Sequence, residues 1–169
     1  MCGFIGKISY ENFDYENVVK CNELIECRGP DSLNSYSGEK NNLKYHFVFN
    51  RLSILDLSSE ANQPMISNGE KSLIMFNGEI YNHRELRKKL EKNNAQFFTN
   101  HSDTETILNG IDSEGVNFIN SLRGQFAIFY INFQQKKIIF ARDRLGQKPL
   151  FINFDNKNLS FGSNLISVA

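Results

Sequence analysis

The chain has 169 residues, 40% hydrophobic and 12% aromatic, with 15 Phe, 6 Tyr and no Trp; this suits one ordinary domain with a buried core and excludes a disordered chain. Nineteen Lys and Arg balance nineteen Asp and Glu, so the charge gives no reason to expect a nucleic-acid or membrane partner. No apolar run approaches the roughly 20 residues that span a bilayer, the opening MCGFIGKISY lacks a signal-peptide pattern, and three cysteines without a CxxC pair argue against a disulfide framework or zinc site and fit a reducing cytoplasm.

Residues 3–9 alternate apolar and small side chains and read as a strand. From Glu16 to Cys27, Val18, Cys21 and Ile25 recur at helical spacing, until the Gly and Pro of RGPD (28–31) stop the helix. LKYHFVFNRLSIL (43–55) is rich in aromatic and β-branched residues and reads as one strand. A loop through Gln63-Pro64 leads to another strand, SLIMFNGEI (72–80). One helix opens at Asn82, with Glu85 three residues on and Leu86 and Leu90 facing inward. The next opens with the capping box Ser102 to Glu105, presents Ile107, Leu108 and Ile111, and breaks near Gly115 before a further turn to Leu122. Strands return in GQFAIFYI (124–131) and KKIIFARD (136–143), and the hairpin PLFINF-DNKN-LSFG (149–162) follows. Strands, helices, then strands with hairpin-length turns argue for an α+β fold with antiparallel sheet, not a doubly wound parallel one.

Cys2 is the first chemical signal. If Met1 is trimmed, the cysteine becomes N-terminal, and its own α-amine, with an unperturbed pKa of about 7.7–8.0, is a base beside its thiol. That is one form of activated nucleophile, and it needs no separate histidine. His46, His83 and His101 are accordingly not expected to be catalytic, nor does their wide spacing suggest a local metal site. Cys21 and Cys27 read as packing residues.

Further short segments stand in order along the chain: MCGFIG (1–6), RGPD (28–31), RLSILDLS (51–58), QPM (63–65), NGEIYN (77–82), SDTE (102–105), FAIFY (126–130) and RDRLGQKPLF (142–151). Together they resemble the class II glutamine amidotransferases over essentially the whole chain. RGPD, RLSILD, QP and NGEIYN resemble the asparagine-synthetase-like branch in particular. The resemblance implies a glutaminase domain over residues 2–169 with the four-layer αββα sandwich of the N-terminal nucleophile hydrolases. It implies hydrolysis of L-glutamine to glutamate and ammonia through a γ-glutamyl thioester on Cys2, the ammonia feeding an amide-forming reaction such as asparagine synthesis.

Residue roles follow from the same resemblance. Asn77, through its side-chain amide, and Gly78, through its backbone N–H, match the oxyanion-stabilising pair. Arg51 matches the residue that holds the substrate α-carboxylate, a natural task for a planar guanidinium, with backbone groups of Leu52 and Ile54 assisting. Asp103 and Glu79 match acceptors for the α-ammonium group. Arg28, Asp31, Arg142, Asp143, Gly146 and Pro149 read as framework around the site.

No metal or organic cofactor is expected in this chain. ATP and Mg are expected only on a partner synthetase domain or subunit, because neither an SGG-type pyrophosphatase motif nor a GxxxxGK[ST] loop occurs here. Asn164 stands where the family usually has an acid, which bears on coupling between domains. Two rivals remain: a catalytically silent regulatory or docking domain, and a stand-alone amidase for another amide.

Overall fold

Period-two alternation of the strands decides the layering. The computed structural model describes residues 1–168, among which nine strands form two antiparallel sheets. The five-stranded sheet runs β2 (Ser32–Lys40), β3 (Leu43–Arg51), β1 (Gly3–Ser9), β9 (Asn158–Gly162), β8 (Phe151–Asp155). The four-stranded sheet runs β4 (Met65–Ile66), β5 (Ser72–Ile80), β6 (Gly124–Asn132), β7 (Lys137–Arg142). Phe4, Tyr45, Phe47, Phe49 and Phe161 of the first sheet meet Leu73, Met75, Ala127, Phe129 and Ile131 of the second in one buried layer. Phe129 and Phe161 stack there with ring centroids 4.1 Å apart.

The alternate residues face outward and need cover. Ile74, Phe76, Ile80, Phe126 and Ile128 pack under α2 (His83–Lys92) and α3 (Asp103–Glu114), which contribute Leu86, Leu90, Ile107, Leu108 and Ile111. Ile5 and Val48 are covered by Val18 of α1 (Tyr15–Glu23) and by Ile25 just after it. The order is helix, sheet, sheet, helix, as expected, with α1 alone on one side. Each buried Phe or Leu contributes about 1.5–3 kcal/mol by leaving water, so both the inter-sheet layer and the layer under α2 and α3 are major sources of stability.

Three sequence expectations are corrected. The strand read over residues 43–55 ends at Arg51, where the last rung pairs Arg51 with Ser32; beyond it the Ser53 N–H donates to the Asp31 carboxylate at 2.7 Å instead of to a strand. β2 was not expected, because SLNSYSGEK has no apolar alternation; as an edge strand with no residue fully buried, it needs none. α2 opens at Asn82 as expected, but without a side-chain cap: the Asn82 side chain donates to Ser121 O and accepts from Arg123 N. The capping box of α3 forms by half. Ser102 Oγ accepts from Glu105 N at 3.4 Å, while the Glu105 carboxylate accepts from the Phe98 and Thr99 N–H groups.

Candidate active site

Cys2 lies at the start of the central strand β1, and its chain is held from outside by Arg28, whose Nε donates to Cys2 O at 3.1 Å. The Leu52 N–H donates to Cys2 Sγ at 3.3 Å, and the thiol lies 3.5 Å from Leu52 O, to which it donates when protonated. With Met1 in place the Cys2 nitrogen is an amide, and Met1 itself lines the cleft beside the thiol.

That cleft, about 260 Å³, is lined by all eight residues singled out from the sequence: Cys2, Arg51, Leu52, Ile54, Asn77, Gly78, Glu79 and Asp103. β3 delivers Arg51 and then breaks off into the loop carrying Leu52 and Ile54. The end of β5 delivers Asn77 to Glu79, and the first turn of α3 delivers Asp103.

Three buried polar groups here lack a full match. Asn77 is 1% exposed, yet its Nδ2 has no hydrogen-bond partner. A buried unpaired amide costs about 1–3 kcal/mol, so it is a donor waiting for an acceptor. Arg51 is 6% exposed and makes no ion pair among the described residues. Its guanidinium is held by neutral acceptors only: Ser58 O at 2.9 Å, Asn62 Oδ1 at 2.6 Å and Asp56 O. These orient the cation without cancelling its charge.

Asp103 is the opposite charge in the same condition. Burial pushes its carboxyl up to about 6, against the Ile80 N–H, which donates to Oδ2 at 3.2 Å, the nearby His83 ring and the Thr104 and Asp103 N–H groups, all pulling it down. Relative to the ordinary 3.8, keeping it ionised at neutral pH costs on the order of 3 kcal/mol.

The edge of β5 explains why Gly78 is available. In an antiparallel strand, alternate residues point their N–H and C=O groups to opposite sides. On the side away from β6, Ile74 pairs with Met65 of β4, Phe76 is bonded by the Gln63 side chain, and Ile80 is bonded by Asp103 and by His83 Nδ1. Gly78 lies between them on the same side, where β4 no longer reaches. A Cβ at Gly78 would sit 2.0 Å from Gln125 O, so only glycine lets β6 approach there.

Chemically, the cleft presents an anion-seeking guanidinium, a cation-seeking carboxylate and buried donors next to a thiol. That is the complement of a free amino acid whose side chain carries a carbonyl group. A glutamine amidotransferase domain model matches residues 1–169. This chain belongs to the glutamine amidotransferase domain family. Its relatives include asparagine synthetase [glutamine-hydrolyzing] 1 of Bacillus subtilis (strain 168), 37% identical over 168 residues, covering 96% of this chain and 26% of that one. Asparagine synthetase [glutamine-hydrolyzing] 2 of the same organism is 32% identical, covering 99% of this chain and 22% of that one. The chain thus spans about a quarter of the length of these relatives. In fold it is similar to the glutamine phosphoribosylpyrophosphate amidotransferase of B. subtilis, with a TM-score of 0.77, 19% identity, and coverage of 98% of this chain and 42% of that one.

Within the amidotransferase domain, the residues read as framework bind loops around the cleft. The Asp143 carboxylate accepts from the N–H groups of Phe126, Leu145, Gln147 and Lys148, and Arg142 holds Lys148 O and Gly146 O. The histidines stay off the thiol. His46 is buried on β3 with neither ring nitrogen bonded, and His101 Nε2 accepts from Asp56 N. Four more residues serve the cleft without a sequence signal of their own: Asn62, which holds Arg51, and Gln63, Thr104 and Lys148, which line it. Gln63 and Thr104 lay inside the quoted motifs QPM and SDTE, but nothing in their spacing announces what they touch.

Proposed function

We propose that the chain, once Met1 is removed, hydrolyses the side-chain amide of L-glutamine and supplies ammonia to an asparagine-synthetase-like synthetase domain or subunit. The observation that carries this reading is the set of unmatched buried groups around Cys2: cation, carboxylate and amide donor in one cleft. Arg51 takes the α-carboxylate, and Asp103, assisted by Glu79, takes the α-ammonium. Glu79 is exposed at the cleft and free to follow a ligand. Leu52 and Ile54 add backbone contacts.

The α-amine of Cys2 accepts the thiol proton, and the thiolate attacks the amide carbon. The Asn77 Nδ2–H and Gly78 N–H hold the oxyanion; one such donor is worth about 10²–10³ in rate. Collapse returns the proton to the leaving nitrogen, releases ammonia and leaves a γ-glutamyl thioester. Water, deprotonated by the same amine, then releases glutamate and restores the thiol. This chemistry needs no metal or organic cofactor; ATP and Mg belong to the synthetase partner, and a cytoplasmic setting keeps Cys2 reduced.

The test is a glutaminase assay paired with intact-mass analysis. Mature protein releases ammonia from glutamine and not from a panel of other amides, and Met1-retaining protein is inert. Full activity with Met1 retained would overturn the mechanism. Activity on other amides alone would make the protein a different amidase, and inactivity of the mature protein with its synthetase partner would leave the silent-domain reading.

A further inference from the structure

Gln63 is 6% exposed and sits where β4 has ended and β5 continues without a neighbour. Its side-chain amide replaces the missing strand. Oε1 accepts from Phe76 N at 2.6 Å, and Nε2 donates to Phe76 O at 3.1 Å. The same Nε2 also donates to Thr104 Oγ1 at 3.2 Å, in the first turn of α3. One amide therefore ties the peptide beside Asn77 to the residue beside Asp103. The two walls joined in this way carry the open Gly78 N–H on one side and the buried carboxylate on the other.

We infer that Gln63 is a positioning residue that sets the gap between the end of β5 and the start of α3, and thereby aligns the oxyanion donors with the ammonium acceptor. This rests on the glutaminase reading above. The physical reason is reach. A backbone strand in that place would bond Phe76 but continue on to cover Gly78. A side chain bonds Phe76 and stops, leaving Gly78 open. A shift near 1 Å in such a site costs about 10²-fold in rate, so a hydrogen-bonded spacer with three contacts has a kinetic role beside its contribution to stability.

The experiment compares mature wild type with Gln63→Met, Gln63→Glu and Thr104→Val, with active sites counted by stoichiometric thiol labelling with an electrophilic glutamine analogue. Gln63→Met, similar in volume but unable to bond, is expected to lower kcat per labelled site by about 10–100-fold and to raise KM. Thr104→Val frees only the α3 wall, so KM moves more than kcat. Gln63→Glu keeps the acceptor for Phe76 N but regains a donor only when its carboxyl is protonated. Its kcat/KM relative to wild type at the same pH therefore rises as pH falls, which a packing role alone would not produce. Values of kcat and KM for Gln63→Met within twofold of wild type per labelled site, or a flat ratio for Gln63→Glu, would overturn the inference. If wild type itself hydrolyses no glutamine, the functional reading fails separately. The NMR shifts of the Gly78 amide and Asn77 side chain in Gln63→Met then decide: displaced shifts support the positioning role, unchanged ones end it.

Discussion

Asp56 and Asp103 are both nearly inaccessible to water and both stand on segments that frame the cleft, yet their surroundings treat a negative charge in opposite ways. Burial pushes each carboxyl up. At Asp56 the Ser58 hydroxyl, the His101 and Ser58 N–H groups and the His101 ring more than offset that and hold it down at about 2. At Asp103 the backbone N–H groups of Ile80, Thr104 and Asp103 itself and the His83 ring do not, and the carboxyl stays up at about 6. Asp56 is complete: it closes the loop after Arg51 onto the segment leading into α3. Asp103 is under-compensated: its donors offset only part of the cost of burying its charge, and a cation in the cleft would offset more. Arg51 and Asn77 extend the pattern: Arg51 is buried and hydrogen-bonded but without a counter-ion, and Asn77 Nδ2 is buried without a partner. Unmet polar groups collected in one place distinguish a binding site from a structural network, and they cost stability until a ligand arrives.

The largest expected effect tests whether the unmet groups act in chemistry at all. Asn77→Ala removes the unpartnered donor and is expected to lower kcat by about 10²–10³. Arg51→Ala is expected instead to raise KM, because a carboxylate clamp acts in ground and transition states alike. Steady-state kinetics of the two mature variants check this; the same signature from both would merge roles that the cleft separates.

The two aspartates next differ in stability. Asp56→Asn is expected to lose about 2 kcal/mol at pH 7, since its depressed pKa contributes stability that is present above pH 4 and lost as pH falls toward 2. Asp103→Asn is expected to gain on the order of 1–3 kcal/mol in the ligand-free protein, because ionising this carboxyl as pH rises through about 6 costs stability. Urea denaturation at pH 7 reads both. Destabilisation by Asp103→Asn would mean the carboxyl is satisfied.

Much of this fold is legible in the sequence. β5 and β6 carry long runs of β-branched and aromatic residues, and the helices α2 and α3 show their inner faces through Leu86, Leu90, Ile107 and Ile111. What escaped depends on distant partners. β2 is a strand because β3 pairs with it, and Arg51 is a strand end because Asp31 intercepts Ser53. Neither fact is local. The eight site residues were legible only through the ordered motifs, since nothing in the spacing of Arg51, Asn77 and Asp103 says that they share a cleft. Gln63 shows the limit best: glutamine before proline reads as loop, and its work is done on Phe76 and Thr104.

The smallest expected effect is the most specific to Asp103. In the free site its carboxyl titrates at about 6, so at pH 7 it is mostly ionised and at pH 5 only about a tenth is. A bound ammonium group stabilises the ionised form, and binding is therefore linked to proton release as pH falls through 6. Turnover is a poor reporter here, because the Cys2 amine also gains a proton over this range and lowers kcat on its own. Binding to mature Cys2→Ala avoids that, since the amine has no part in holding the α-carboxylate or α-ammonium. Calorimetric titration with L-glutamine is expected to show affinity falling about tenfold from pH 7 to pH 5. Asp56, already ionised throughout, adds nothing to that slope. Asp103→Asn should bind weakly at both pH values with the slope gone. If the slope persists in that variant, the proton belongs to another group, and the contrast between the two aspartates has no bearing on glutamine.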